Sequence, residues 1–378
     1  MTDSVEFFLI FFIFSAKKRI ETERELNLKI RDKAEALSMK TVTEAELKVD
    51  PVIEQLTKIM EGEEKVKDSL RKYTNFASEI GDVRALSCCA IQPCDNPKYF
   101  LSGSWTGNCK LWNSDKFTPS LVFQGHSDLV NDVAFHPFSG DSQSPSAVNF
   151  ASSSADCTVK LWSLESSKPL TTLDGHLLKV NRISFHPSGR FLATSSFDCS
   201  WRLWDVESGE QLLIQEGHIK PVTTVSFQHD GSLIVSAGLD SLGRIWDTRS
   251  GRTVMLLKGH VKPIFTTSFS PNGYHVATGS DDHAIRIWDL RTRKCLHIIP
   301  AHSKLVSRVK YQPGNGNFLV SSSFDRTCKI WDANDFTPLR TLAGHEEKVM
   351  CVDISKDSSS ILSSGYDRTL KLWREDRL

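Results

Sequence analysis

The sequence predicts an all-β fold, a seven-bladed β-propeller preceded by an α-helical N-terminal extension. Three observations predict it. Seven of the nine tryptophans stand at Trp112, Trp162, Trp204, Trp246, Trp288, Trp331 and Trp373, with gaps of 50, 42, 42, 42, 43 and 42 residues. A Gly-His or Ala-His pair keeps the same rhythm, with histidines at His126, His176, His218, His260, His302 and His345. Fixed offsets also carry polar residues. Ten before each Trp stands Ser102, Ser152, Thr194, Ser236, Thr278, Ser321 or Ser363, and six before it Asp156, Asp198, Asp240, Asp282, Asp325 or Asp367. A repeat of about 42 residues is the size of one four-stranded blade.

Composition is compatible with this. The 378 residues are 39% hydrophobic and 24% charged, enough to bury a sizeable core. Lys and Arg number 46, as do Asp and Glu, so bulk positive charge does not steer the chain to nucleic acid. Any RNA contact needs a local patch. The nine cysteines show no C-x-x-C pair and no zinc spacing, which reads as reduced thiols of a cytosolic or nuclear protein. No metal or cofactor site is expected, and Gly-rich phosphate loops and nucleophile elbows are absent from the sequence.

The elements follow in chain order. Residues 1–15 contain eight consecutive apolar residues, Phe7 to Phe14. Spanning a bilayer takes about 20. Acidic Asp3 and Glu6 precede the run, basic residues follow it, and no small-x-small cleavage site comes after, so it is not read as a signal peptide. It is given no function, whether an unusual N-terminus or a gene-model artefact. Residues 16–72 read as a helical extension: mixed charge over 16–38, then an Asp50-Pro51 helix start. Val52, Leu56, Ile59, Met60, Val66, Leu70 and Tyr73 follow at roughly helical spacing, a stripe expected to pack on the chain's own propeller.

The propeller is expected over 73–378. Only five residues follow Trp373, too few for an outer strand, so residues 73–80 are expected to supply it and close the ring. Blade 1 has Gly81-Asp82 in place of Gly-His and Thr106 in place of Asp, and is expected to be held by packing alone and to be the softest blade. The long second repeat carries its surplus within residues 138–148, read as a surface insertion, with Ser144-Pro145 its candidate for phosphorylation. The basic residue two before each Trp (Lys110, Lys160, Arg202, Arg244, Arg286, Lys329, Lys371) reads as a packing stem with a snorkelling head.

The Trp-Asp pairs at 204, 246, 288 and 331, in register with the other marks, resemble the WD40 family over residues ~73–378. That resemblance implies a buried hydrogen-bonded relay of His, Ser/Thr, Asp and Trp in each of six blades. Physically, a buried imidazole, carboxylate and indole N–H each need a partner. Ser, His and Asp repeated six times also match the residue types of a hydrolase triad, but they are read as core pins and no catalytic residue is assigned.

Binding candidates lie elsewhere. The residue before each turn Asp is expected near the top rim; Trp105, Phe197, Phe324 and Tyr366 are the aromatic ones and the anchors chosen for a partner. Lys179, Lys220, Lys262, Lys304 and Lys348 follow the histidines by two or three residues, with Arg182 and Arg308 near them in sequence, and are expected to face the same way. Such a mixture suits acidic or phosphorylated peptides, or an RNA backbone with unstacked bases.

The runs LRKYTNFASEIGDVRALS, SGSWTGNCKLW, HPSGRFLATSSFDCSWRLWD and GLDSLGRIWD, with Gln215-Glu216 before Gly217-His218, resemble the Prp4-type WD40 splicing factors. This resemblance implies a nuclear, non-enzymatic scaffold of the U4/U6 and U4/U6·U5 snRNPs in pre-mRNA splicing. It implies as partners a Prp3-type protein, a cyclophilin of the same particle and other tri-snRNP proteins, with U4/U6 snRNA contact left open. The family's N-terminal splicing-factor motif is not found in this sequence. The alternative function is a WD40 adaptor elsewhere, such as a ubiquitin-ligase substrate receptor. A propeller enzyme is the least favoured reading.

Overall fold

The computed structural model describes residues 64–140 and 144–375. The Phe7–Phe14 run and Val52, Leu56, Ile59 and Met60 lie outside the described residues. A helix, α1, is described over 64–71 and leads into strand β1 (Tyr73–Ile80). Blade 1 is β2 (Leu86–Ile91), β3 (Tyr99–Ser104), β4 (Asn108–Asn113) and β5 (Pro119–Gln124); blade 2 is β6 (Val130–Phe135), β7 (Phe150–Ser154), β8 (Val159–Trp162) and β9 (Thr171–Leu173). Blade 3 is β10 (Val180–Phe185), β11 (Phe191–Ser196), β12 (Ser200–Asp205) and β13 (Gln211–Glu216); blade 4 is β14 (Val222–Phe227), β15 (Leu233–Gly238), β16 (Leu242–Asp247) and β17 (Thr253–Lys258). Blade 5 is β18 (Ile264–Phe269), β19 (His275–Ser280), β20 (Ala284–Asp289) and β21 (Lys294–Pro300); blade 6 is β22 (Val306–Tyr311), β23 (Phe318–Ser323), β24 (Thr327–Asp332) and β25 (Pro338–Ala343). Blade 7 is β26 (Val349–Ile354), β27 (Ser360–Gly365) and β28 (Thr369–Glu375), completed by β1, in the order β1-β28-β27-β26.

The protein is thus a seven-bladed propeller of antiparallel four-stranded sheets. Position within a blade follows from sequence. Second strands such as FLATSS, LIVSAG and FLVSSS are buried on both faces and read as apolar or small throughout. Their small residues let neighbouring sheets approach near the axis. A Cβ on Gly279 would lie 2.7 Å from Thr266 and 2.8 Å from Val306 of the next blade. Outer strands are largely exposed, and their polar side chains face water.

The top face carries the loops holding the histidines and the turns holding the aspartates. In six blades the residue after the turn Asp is left-handed: Cys157, Cys199, Ser241, His283, Arg326 and Arg368, with φ from 62 to 74°. The Asp carboxylate accepts the amide two residues on at 3.0–3.1 Å, which holds this turn. Blade 1 has Gly107 there.

Helix α1 packs as the stripe leads one to expect. Val66 and Leu70, with Tyr73 at the start of β1, lie on Phe318, Ile330, Leu342 and Trp373 of blades 6 and 7. Lys67 pairs with Asp332 at 2.6 Å. The surplus of the second repeat returns through Asn149, whose amide donates to the carbonyls of Ser144, Pro145 and Ala147; Ser144 is exposed.

Candidate partner-binding face

Each relay is built by a fixed register. The hydroxyl on the second strand sits across from the basic residue of the third, two positions before the Trp. In six blades His Nδ1 lies 2.7–2.9 Å from the Asp carboxylate and Nε2 2.7–2.8 Å from the Ser or Thr oxygen. The Trp indole donates to that oxygen at 2.7–3.0 Å. Each hydrogen then has one place: indole N–H to hydroxyl, hydroxyl to Nε2, Nδ1–H to carboxylate. Burial pushes the carboxyls up, but hydrogen bonds from the imidazole and turn outweigh it, leaving all six Asp below the usual carboxylate range.

The connectivity is that of a hydrolase triad, yet no substrate reaches it. Ser152, Thr194, Ser236, Thr278, Ser321 and Ser363 are fully buried, and each oxygen already holds an indole N–H. Among the described residues no group of three or more His, Cys, Asp or Glu is placed to hold a metal ion.

Blade 1 departs from expectation: it is not held by packing alone. Trp112 donates to Ser102 at 2.9 Å, Thr106 donates to the Asp82 carboxylate, and Lys110 reaches the Gly81 carbonyl at 2.7 Å. The acid stands where the other blades have the imidazole and a hydroxyl stands where they have the acid, so two departures compensate each other in space. The snorkelling expectation also needs correction. Lys110 and Lys329 donate to loop carbonyls, Lys371 to Ser78 and Arg202 to Gln211, so these heads bond beneath the top loops instead of standing in water.

The rim residues are placed by a backbone bond repeated in every blade. The amides of Trp105, Phe197, Phe324 and Tyr366 donate to the carbonyls of Ala85, Lys179, Leu305 and Lys348. This sets ring beside cation. Lys179 Nζ lies 3.9 Å from the Phe197 centroid; Lys348 Nζ lies 5.0 Å from Phe324 and 5.8 Å from Tyr366, bridging blades 6 and 7. Trp105 meets Tyr366 edge to face at 5.3 Å across the seam of blades 7 and 1. These two rings line a hollow of about 560 Å³ with Arg84, Glu346, Glu347 and Arg368. Lys262 pairs with Asp281, whereas Lys220 and Lys304 are exposed.

Arg182 and Arg308 do not join this face. They lie on inner strands β10 and β22 and converge on Asp132 of β6 at 3.2 and 3.6 Å. The third residue of an inner strand points at the axis, and only the length of the guanidinium stem lets two blades share one carboxylate across the channel. Their sequence proximity to the lysines is not spatial.

The sequence reading missed the residue directly after the histidine in blades 3, 4 and 5, where it is apolar. Leu177, Ile219 and Val261 are 80%, 83% and 84% exposed on the top face, and Val83 holds the matching place in blade 1 at 79%. Their signal was periodic, one position beyond the histidine register.

The family model described as "WD domain, G-beta repeat" matches seven segments: 79–113, 117–163, 167–205, 209–247, 251–289, 293–332 and 336–374. The mouse (Mus musculus) "U4/U6 small nuclear ribonucleoprotein Prp4" is 62% identical over 336 residues, 89% of this chain and 64% of that protein. The human (Homo sapiens) protein of the same name is 48% identical over 108 residues, 29% of this chain and 20% of its own. An Arabidopsis thaliana "U4/U6 small nuclear ribonucleoprotein PRP4-like protein" is 47% identical over 62 residues, 16% of this chain and 11% of its own. The chain therefore spans less than two thirds of these relatives.

Proposed function

The chain belongs to the WD40-repeat family, and from that premise we propose that it is a non-catalytic scaffold of the spliceosomal U4/U6 snRNP. In this reading it acts in the nucleus, supporting pre-mRNA splicing by holding protein partners. The partners expected from the resemblance are a Prp3-type protein, a cyclophilin and other tri-snRNP proteins. Protein capture falls to the top face. The observation that carries this is the rings set beside cations: Phe197 with Lys179 in blade 3, and a separate run of Phe324, Lys348, Tyr366 and Trp105 across the seams of blades 6, 7 and 1. Rigid aromatic side chains with a nearby positive charge supply apolar area at low entropy cost and attract acidic or phosphorylated segments. The sealed relays leave the chain no nucleophile of its own among them, which supports a binding role.

The test is a pull-down of the tagged full chain from nuclear extract, with proteins identified and RNA sequenced. Wild type is expected to recover U4 and U6 RNA with a Prp3-type protein. Phe197→Ala combined with Phe324→Ala is expected to lower that recovery at an unchanged melting temperature. Unchanged recovery overturns the choice of anchors. Absence of U4 and U6 RNA from well-folded wild-type protein overturns the scaffold reading itself.

A further inference from the structure

The outer strands of blades 4 and 5 differ from every other edge of the ring. In β17, Leu256 is 38% exposed on the sheet face it shares with Lys258, and Val254 is 48% exposed at the bulge between Thr253 and Met255. In β21, Ile298 is 48% exposed, Leu296 is 52% exposed at the bulge between Cys295 and His297, and Lys294 stands exposed at the start of the strand. Arg249 and Arg252 lead into β17, and Arg291 and Arg293 into β21, all exposed. Residues 248–258 and 290–300 contain no Asp or Glu.

The combination is local. The matching segment of blade 3 exposes Leu212 and Ile214, but between Glu207, Glu210 and Glu216 and with no cation. Blade 6 carries Asp335 and presents Arg340 instead of an aliphatic pair. A soluble chain blunts its edge strands with charge, and cations serve there. Two exposed aliphatic pairs in adjacent blades exceed that need. Among the described residues both β17 and β21 are terminal in their sheets, so one edge of each has no strand partner there.

The chemistry favours polypeptide over nucleic acid. The exposed apolar groups are aliphatic and offer no ring for base stacking. Of the nearby rings, Tyr274 lies under Arg291 at 3.7 Å, and His297, exposed at its edge, has one face stacked on Phe336 at 5.2 Å. We propose that the outer strands of blades 4 and 5 form a second docking surface, for an acidic polypeptide segment carrying aliphatic side chains. Carboxylates of that segment face Arg249, Arg252, Lys258, Arg293 and Lys294, and its alternate side chains cover Val254, Leu256, Leu296 and Ile298. Addition beside an edge strand meets both demands, because beyond the bulges at Val254 and Leu296 the side chains alternate at the same two-residue period.

The test selects dodecapeptides from a random displayed library on the immobilised full chain, then measures a synthetic copy of the enriched peptide by fluorescence anisotropy. Enriched peptides are expected to pair Asp or Glu with Val, Ile or Leu. Arg252→Glu with Lys294→Glu is expected to weaken binding about tenfold at low salt. Leu256→Ser is expected to weaken it at both low and high salt. Lys220→Glu on the top face, and the Phe197→Ala/Phe324→Ala pair, are expected to leave it unchanged, which separates this surface from the first. Hydrogen exchange is expected to slow in β17 or β21 when peptide binds. Enrichment of neutral or basic peptides overturns the proposal. So does an affinity indifferent to the charge reversals, protection confined to other strands, or charge reversals that abolish retention on polyuridine while sparing the peptide.

Discussion

At the scale of single residues, the relay hydroxyl holds the most. Ser236 takes the indole N–H of Trp246 at 2.7 Å and sits 2.8 Å from His218 Nε2. Ser236→Ala strands both, and each buried group left unpaired costs about 1–3 kcal/mol. Ser102 in blade 1 holds one such group, the Trp112 indole, so Ser102→Ala is expected to cost roughly half as much. Urea midpoints of the two variants check this, and equal losses would sink the two-partner account of the full relay. These residues were legible because strand geometry ties hydroxyl and Trp to a ten-residue offset. The pairing of Asp82 with Thr106 was legible only as a loss of His and Asp, since compensation is a fact of space. Arg182 was misread for a related reason: a position two residues into an inner strand turns inward, and its partner Asp132 lies 50 residues away.

At the scale of elements, closure was the strongest deduction available from sequence, because a ring of four-stranded blades leaves a countable remainder. Strand β1 runs antiparallel to β28 from Tyr73 opposite Glu375 to Ile80 opposite Thr369, with a register shift between Asn75 and Ala77. Tyr73 is also buried against blade 7 and donates its hydroxyl to the Ser358 carbonyl, while Leu70 of α1 packs beneath. Deleting residues 1–82 removes all of this, exposes Trp373 and leaves β28 as a bare edge. The fragment 83–378 is expected to aggregate, as followed by size exclusion and thermal melting. A soluble fragment that melts cooperatively would show that the ring stands without its closing strand. The aliphatic outer strands of blades 4 and 5 were not singled out from sequence, because one outer strand of a blade reads much like another until the solvent side is known.

At the scale of the whole molecule, the six relays act together on pH dependence, and two signs must be compared. The six Asp carboxyls bind protons less readily when folded than unfolded. Their contribution is present above about pH 4 and is lost as acid titrates the folded groups. For His176 and His302 burial outweighs the neighbouring carboxylate, so the folded imidazoles are also depressed. The unfolded chain takes up those protons first, and stability starts to fall below about pH 6.5. Both terms have the same sign. The melting temperature is therefore expected to be level near neutrality, to decline modestly below about pH 6.5, and to drop steeply below about pH 4. The competing account treats each His–Asp pair as an ion pair that prefers imidazolium, which requires folded histidines with raised pKa and stability that grows as pH falls from 7 toward 5. Thermal melts across that range separate the two, and a rise on acidification would mean that charge pairing, not the neutral hydrogen-bond chain ending on the indole, holds the blades.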